Sequence, residues 1–203
     1  MTMKGMVKIL AAALVAVAAL GAAFYSFVLP DFFSARGAPG SMETWTVTRL
    51  RRLAVAKAIR DQQNPTTLTA EALTEAREHF ADHCAICHGN DGRGHTEMGP
   101  NFYPPVPDMT ERATQALTDG ELFYAIENGV RFTGMPAWGS NSPEDTEASW
   151  KLVHFLRHLP QISRKEIREM EKLNPKSPAE MEDEHEAERF LDGGEVKPHH
   201  HSH

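Results

Sequence analysis

The sequence predicts an all-α fold, on three observations. Apolar residues recur at helical spacing in four stretches, within residues 43–61, 69–84, 118–128 and 142–159. Helix-ending residues close three of them: Asn64-Pro65, Gly129 and Pro160. The chain's only two cysteines lie in surroundings that read as helix and loop, without the βαβ context of a thiol-redox pair.

The elements are taken in chain order. From Ile9 to Leu29 no residue is charged, and Pro30 closes the run. About twenty residues at about 1.5 Å each just cross a hydrocarbon core of about 30 Å. The expected element is an N-terminal transmembrane anchor within residues 1–29; a signal peptide cleaved near Gly21-Ala22-Ala23 is the alternative. Lys4 and Lys8 place the amino terminus in the cytoplasm, although Arg36 and the basic stretch from Arg49 lie on the other flank.

Residues 30–68 read as a linker and then a basic helix. Pro30, Gly37, Pro39 and Gly40 make the linker. The helix, about Glu43 to Asp61, sets Val47, Leu50, Ala54 and Ala58 among Arg49, Arg51, Arg52, Lys57 and Arg60. It is either an arm packed on the main domain or a basic helix for anionic headgroups or an acidic partner.

Residues 69–160 form the main domain. A helix from Thr69 carries Leu73, Ala76, Phe80 and Ala81 on one face into Cys84. Cys84-Ala85-Ile86-Cys87-His88 is the attachment signature of a c-type heme. Residues three apart on a helix share a face, so both thiols can add to the vinyl groups of one porphyrin edge. His88 then lies beneath the iron as proximal ligand. A zinc site recruiting His83, His88 or His95, a redox pair and a disulfide are the weaker readings of the same residues.

Glycines at 89, 92 and 94 turn the chain after His88, and prolines at 100, 104, 105 and 107 stiffen the next loop. A helix from Thr118 to Asn128 stops at Gly129. Next comes Gly134-Met135-Pro136-Ala137-Trp138, where flanking Gly and Pro hold Met135 in a loop. Its thioether is the expected sixth ligand opposite His88, which makes His88 and Met135 the metal-binding pair; Met98, Met109 and Met170 are the competitors. The last helix, Ser142 or Pro143 to Leu159, should pack on the helix of Ala76 and Phe80. His154 and His158 on it read as packing or surface residues.

Residues 161–203 read as a charged helix, Arg164 to Leu173, and an acidic tail too poor in apolar residues to fold, ending in His199, His200, His201 and His203. Those histidines are a metal-binding segment, an unstructured end or a remnant of cloning. A net charge of -7 argues against a nucleic-acid partner, and the chain shows neither a phosphate loop nor a serine nucleophile elbow.

The chain resembles single-heme c-type cytochromes with histidine and methionine axial ligands, anchored by an N-terminal helix. The resemblance covers about residues 70–160. It rests on Cys84-Ala85-Ile86-Cys87-His88-Gly89, Gly99-Pro100-Asn101-Phe102, Asp119-Gly120-Glu121-Leu122, Asn128-Gly129-Val130-Arg131 and Gly134-Met135-Pro136-Ala137-Trp138. It implies a small cytochrome c fold, three to five helices around one heme c held covalently through Cys84 and Cys87. It also implies that the Pro100 carbonyl accepts from the His88 imidazole, and that Trp138, Tyr103 or Arg131 bonds a propionate. The implied function is one-electron transfer between redox protein partners at the outer, periplasmic face of the bacterial cytoplasmic membrane. The implied protein is no enzyme in itself, although it can be a heme subunit of a larger oxidoreductase complex. A ligand-binding sensor or enzyme, if Met135 dissociates, and a metal-handling factor acting through the terminal histidines are the rivals.

Overall fold

The computed structural model describes residues 3–27, 34–176 and 178–191, and their regular elements are all helical. In chain order these are α1 (Met3–Phe27), α2 (Ser41–Ala54), α3 (Lys57–Arg60), α4 (Ala70–His79), a π-helical segment (Phe80–Cys84), α5 (Ala85–His88), α6 (Arg112–Gln115), α7 (Asp119–Asn128), α8 (Pro143–His158), α9 (Arg164–Met170) and α10 (Pro178–Leu191). Short 3-10 turns sit at Gly99–Asn101 and Leu159–Gln161.

α1 buries none of its residues and is long and apolar enough to cross a membrane. Leu29 and Pro30, the expected end of the span, lie outside the described residues.

The single basic helix expected over Glu43 to Asp61 is two. α2 starts at Ser41, and Val55 then takes extended backbone (φ -75°, ψ 115°) with its side chain buried. The break lets α3 turn onto α7. The Thr118 hydroxyl donates to Arg60 O at 2.6 Å, and Gly120 lacks the Cβ that would strike Ile59 O. Packing thus overrides a helical pattern that continues through the break. Beyond α3, Asn64 Nδ2 donates to Trp150 O (2.8 Å) and Thr66 O meets His154 Nε2 (3.0 Å), strapping this segment to α8.

The core lies where α4 and its π extension cross α8. Ala76 leaves room for ring-on-ring contact, and Phe80 meets Phe155 with centroids 5.0 Å apart. Phe80, Val153, Phe155, Leu159 and Met170 are fully buried. Each such side chain contributes about 1.5–3 kcal/mol of transfer free energy. α7 joins through Phe123 stacked on Trp150, 4.0 Å between centroids. The Arg157 guanidinium then fastens the two helices, donating to Asp119 Oδ1 (2.7 Å) and to Gln115 O and Leu117 O (2.8 and 2.6 Å).

Sequence-visible caps set the helix starts. Thr69 accepts from Ala72 N, Ser142 from Asp145 N, and Thr118/Glu121 and Ser163/Glu166 form capping boxes. The acidic segment expected to be unfolded instead contains α10, in which His185–Glu188 and Glu186–Arg189 pair at helical spacing. Glu, Met and Ala are good helix formers, so local propensity suffices for a helix that carries little apolar surface. The terminal histidines, 199–201 and 203, lie outside the described residues.

Candidate functional site

α4 delivers the cysteine motif through the π segment, not through a continuous α-helix. One extra residue per turn shifts the buried face from Ala72, Ala76 and Phe80 to Ala81 and Ala85. Cys84 and Cys87 are left partly covered at the edge of the core, with Ile86 exposed between them. Both thiols are free. Burial, with Cys87 adding to it, pushes the Cys84 thiol up to about 12, and burial raises Cys87 as well. The pair is therefore neutral at neutral pH. His88 lies beside Phe80, with ring centroids 6.3 Å apart, and burial pushes its imidazole down to about 4. It is neutral too, as a nitrogen ligand must be.

The segment after His88 is stapled beneath the motif. Gly94 N donates to His88 O at 2.7 Å. Gly94 takes φ +71°, and a Cβ there would stand 2.7 Å from Val106 O. The Thr96 hydroxyl donates to Cys87 O (3.1 Å) and accepts from Gly99 N (2.9 Å). Gly99 packs bare backbone against Gly94 O, and its Cβ position is 3.2 Å from Cys87 O. The sequence pattern does not mark Thr96, and it marks Gly99 only as part of a motif. The short spacing of Gly94, Thr96 and Gly99 after a turn is the signal that points to them.

Met135 sits on a loop that finishes α7. Trp138 N donates to Ile126 O and Gly139 N to Glu127 O, each at 3.1 Å, so the loop satisfies carbonyls that the helix end leaves open. Val130 N donates to Met135 O (3.1 Å), and Met135 N to the Thr133 hydroxyl (3.1 Å). Gly129 turns the chain with φ +65° and ψ -173°, a positive φ outside the left-handed helical region that glycine caps usually take. Two contacts tie this loop to the cysteine side. Gly134 lies on the Phe102 ring, and Trp138 meets His83 edge-on, with centroids 5.7 Å apart.

The remaining candidates separate. Met109 and Met170 are buried in the core, as gap-filling methionines are; Met98 is 44% exposed and Met135 half-buried. The expected bond from His88 to the Pro100 carbonyl is not formed. His88 Nδ1 is buried without a partner, and Pro100 lies exposed on the Gly99–Asn101 turn. Tyr103 donates to Glu43 of α2 at 2.6 Å and Trp138 faces His83, while Arg131 is exposed. His158 Nε2 is 2.8 Å from Glu166 Oε1, so it and His154 are held in packing contacts. Among the described residues, no group of three or more His, Cys, Asp or Glu side chains is arranged to hold a metal ion.

Comparison with known proteins agrees with this geometry. Residues 71–156 match the family model for cytochrome c oxidase, cbb3-type, subunit III. The chain is 32% identical over 112 residues to the cbb3-type cytochrome c oxidase subunit FixP of Azorhizobium caulinodans, covering 50% of this chain and 33% of that one. It is 28% identical over 121 residues to the cbb3-type cytochrome c oxidase subunit CcoP of Cereibacter sphaeroides, covering 59% of this chain and 38% of that one. The chain thus spans little more than a third of the length of the curated relatives it matches.

Such a domain implies heme c, and the residues fit it. Two neutral thiols three positions apart precede a neutral imidazole whose buried Nδ1 lacks an acceptor, and a methionine loop is tied to the same side of the domain.

Proposed function

We propose that this chain, whose residues 71–156 are a c-type cytochrome domain, is a membrane-anchored one-electron carrier with its anchor within residues 1–29 and its heme domain within 69–160. Cys84 and Cys87 would hold one heme by thioether bonds, and His88 and Met135 are the residues that would ligate its iron. When bound, the group would supply a ferric/ferrous couple. The chain's residues do the rest. The two thiols fix the ring's orientation on a rigid helix end. The loop from Gly129 to Gly139, pinned to α7, holds the thioether in place, and a soft sulfur ligand favours the reduced state. The Pro100 carbonyl, which His88 Nδ1 does not meet here, is our candidate acceptor for that buried group once heme is bound, since it is costly to leave unpaired. With His88 and Met135 both engaged the iron would offer no open position, so redox protein partners are the expected contacts.

The observation that carries this reading is the pairing of Cys84, Cys87 and His88 on one helix end with a methionine loop built onto α7. The test is the pigment of the purified protein. It should resist extraction by acidified organic solvent and show a ferric low-spin spectrum with a methionine-to-iron charge-transfer band. An extractable pigment refutes the covalent link, and a high-spin iron refutes the sixth ligand.

We further infer that the carrier works at or within a respiratory oxidase, because both relatives are named as cbb3-type oxidase subunits. Its place is the bacterial cytoplasmic membrane, crossed once by α1, with the heme domain on the periplasmic side. Co-purification from detergent-solubilised membranes tests this: an oxidase that comes with it makes it a heme subunit, and isolation alone makes it a shuttle.

A further inference from the structure

α2 is a 14-residue helix with almost nothing covering it. Every residue is exposed except the half-covered Thr48, and the large apolar ones, Met42, Trp45, Val47, Leu50 and Leu53, are 56–82% exposed. Isolated helices of this length are marginal in water, and helical stability in proteins comes chiefly from packing an amphipathic face. A surface absent from the fold is therefore required. At about 100° per residue, Met42, Trp45, Leu50 and Leu53 fall within an arc of about 140°. Arg49 lies inside that arc, its guanidinium 5.9 Å over the Trp45 ring. Arg52 borders it, whereas Arg51 lies on the opposite face of the helix. None of the three arginines meets a carboxylate among the described ion pairs. Glu43, on the other border, is engaged by Tyr103 of the proline-rich loop, so that side already faces the cytochrome domain.

We propose that α2 lies flat on the surface of the bilayer that α1 crosses. Its apolar arc enters the headgroup boundary, and Arg49 and Arg52 meet the phosphates of anionic lipids. Three observations choose lipid over another occupant. Only thirteen residues separate Phe27 from Ser41, so the helix cannot leave the membrane by more than about 50 Å and its effective concentration there is high. The arc combines a tryptophan, aliphatic side chains and guanidinium groups, the composition of interfacial helices. Arginine stems can also lie along apolar surface while their heads reach phosphate. Through Glu43–Tyr103 and the α3–α7 contact, the membrane-bound helix then sets how the heme domain stands over the bilayer.

The proposal rests on α1 spanning the bilayer, and the experiment separates the two. Full-length holoprotein is reconstituted into vesicles containing phosphatidylglycerol, and co-flotation tests the span. Trp45 emission, taken as the difference from a Trp45→Phe variant, is then read against lipids brominated near the headgroup and against aqueous iodide. The expected result is at least twofold quenching by the brominated lipids and protection from iodide. It should fall at least twofold in Arg49→Gln/Arg52→Gln or in pure phosphatidylcholine. Failure to float refutes the span and the docking together. Floating protein whose Trp45 is open to iodide leaves the span standing and overturns the docking. Protection from iodide without lipid quenching also overturns it, by assigning the face to a protein. Quenching unchanged without the arginines or the anionic lipid overturns their pairing with phosphate.

Discussion

Gly129→Ala isolates the methionine loop from the rest of the fold. At φ +65° and ψ -173° the residue occupies a region open essentially to glycine alone. An added Cβ would stand 2.6 Å from Pro136 C, 2.7 Å from Ala137 N and 2.8 Å from Met135 O, where ordinary contact begins at 3.4 Å. All three neighbours are backbone of the loop itself, so no side chain can swing aside to relieve the overlap. A positive φ costs a substituted residue about 1–2 kcal/mol, and overpacking of this kind about 1–3 kcal/mol. A central value of about 3 kcal/mol, falling on the closed loop alone, lowers its closed-to-open ratio about a hundredfold, at about 1.4 kcal/mol per factor of ten. The assay is optical. The variant should keep its far-ultraviolet helix signal and its attached heme while losing the methionine-to-iron charge-transfer band, and its reduction potential should fall. A variant with the full band and an unchanged potential would show that the loop's backbone does not position the sixth ligand.

Four further outcomes are expected. Met135→Ala should lower the reduction potential and open the iron to carbon monoxide; an unaltered spectrum would move the ligand to another residue, Met98 first. Cys84→Ser and Cys87→Ser should each leave a poorly attached or unstable holoprotein, read as pigment released into acidified organic solvent. Phe155→Ala should cost about 3–5 kcal/mol in chemical denaturation, since its ring fills the contact between α4 and α8 and the site would be left as a cavity. Burial pushes the Glu166 carboxyl up, but hydrogen bonds from Ser163 and the neighbouring His158 outweigh it and hold the group below its usual 4.5. Because the folded value is the lower one, its stabilisation is present above 4.5 and is lost as pH falls through the folded value. Thermal melts of Glu166→Gln, which can still cap α9, should therefore lose less Tm between about pH 6 and pH 3.5 than the wild type; equal losses would count against the carboxylate.

Much of this architecture is legible in the sequence, because several of its helices carry both a start signal and a period. Thr69, Thr118, Ser142 and Ser163 cap helices whose apolar residues face the core, so α4, α7, α8 and α9 stand close to where the pattern puts them. The break at Val55 has no local signal. The apolar spacing runs on past it, and only the docking of α3 against Gly120 gives the chain a reason to stop. α10 is hidden for the opposite reason, since its composition argues against a packed core and says little about an exposed helix. At the site, the cysteine motif and the methionine loop are readable because their chemistry demands particular residues at fixed spacing. The bonds from Trp138 N and Gly139 N are not, because backbone atoms that any residue supplies make them; Thr96 and Gly99 leave only a faint spacing signal, because the carbonyls that the Thr96 hydroxyl and the bare Gly99 backbone meet come together only in the folded turn.

The π turn at Phe80–Cys84 separates two duties that one helix must perform. Were the rod wound uniformly, positions 84 and 87 would continue the stripe begun by Ala72, Ala76 and Phe80, and both sulfurs would be committed to the interior. A single additional residue rotates the downstream turn by about 100°, so that alanines at 81 and 85 inherit the inward places and the sulfurs come to the rim. The spacing of the chain here is thus worth more than the identity of its side chains. Excising Ala81 or Asp82 would leave every motif residue intact yet turn the whole attachment face inward, a lesion no substitution at those two positions would reproduce.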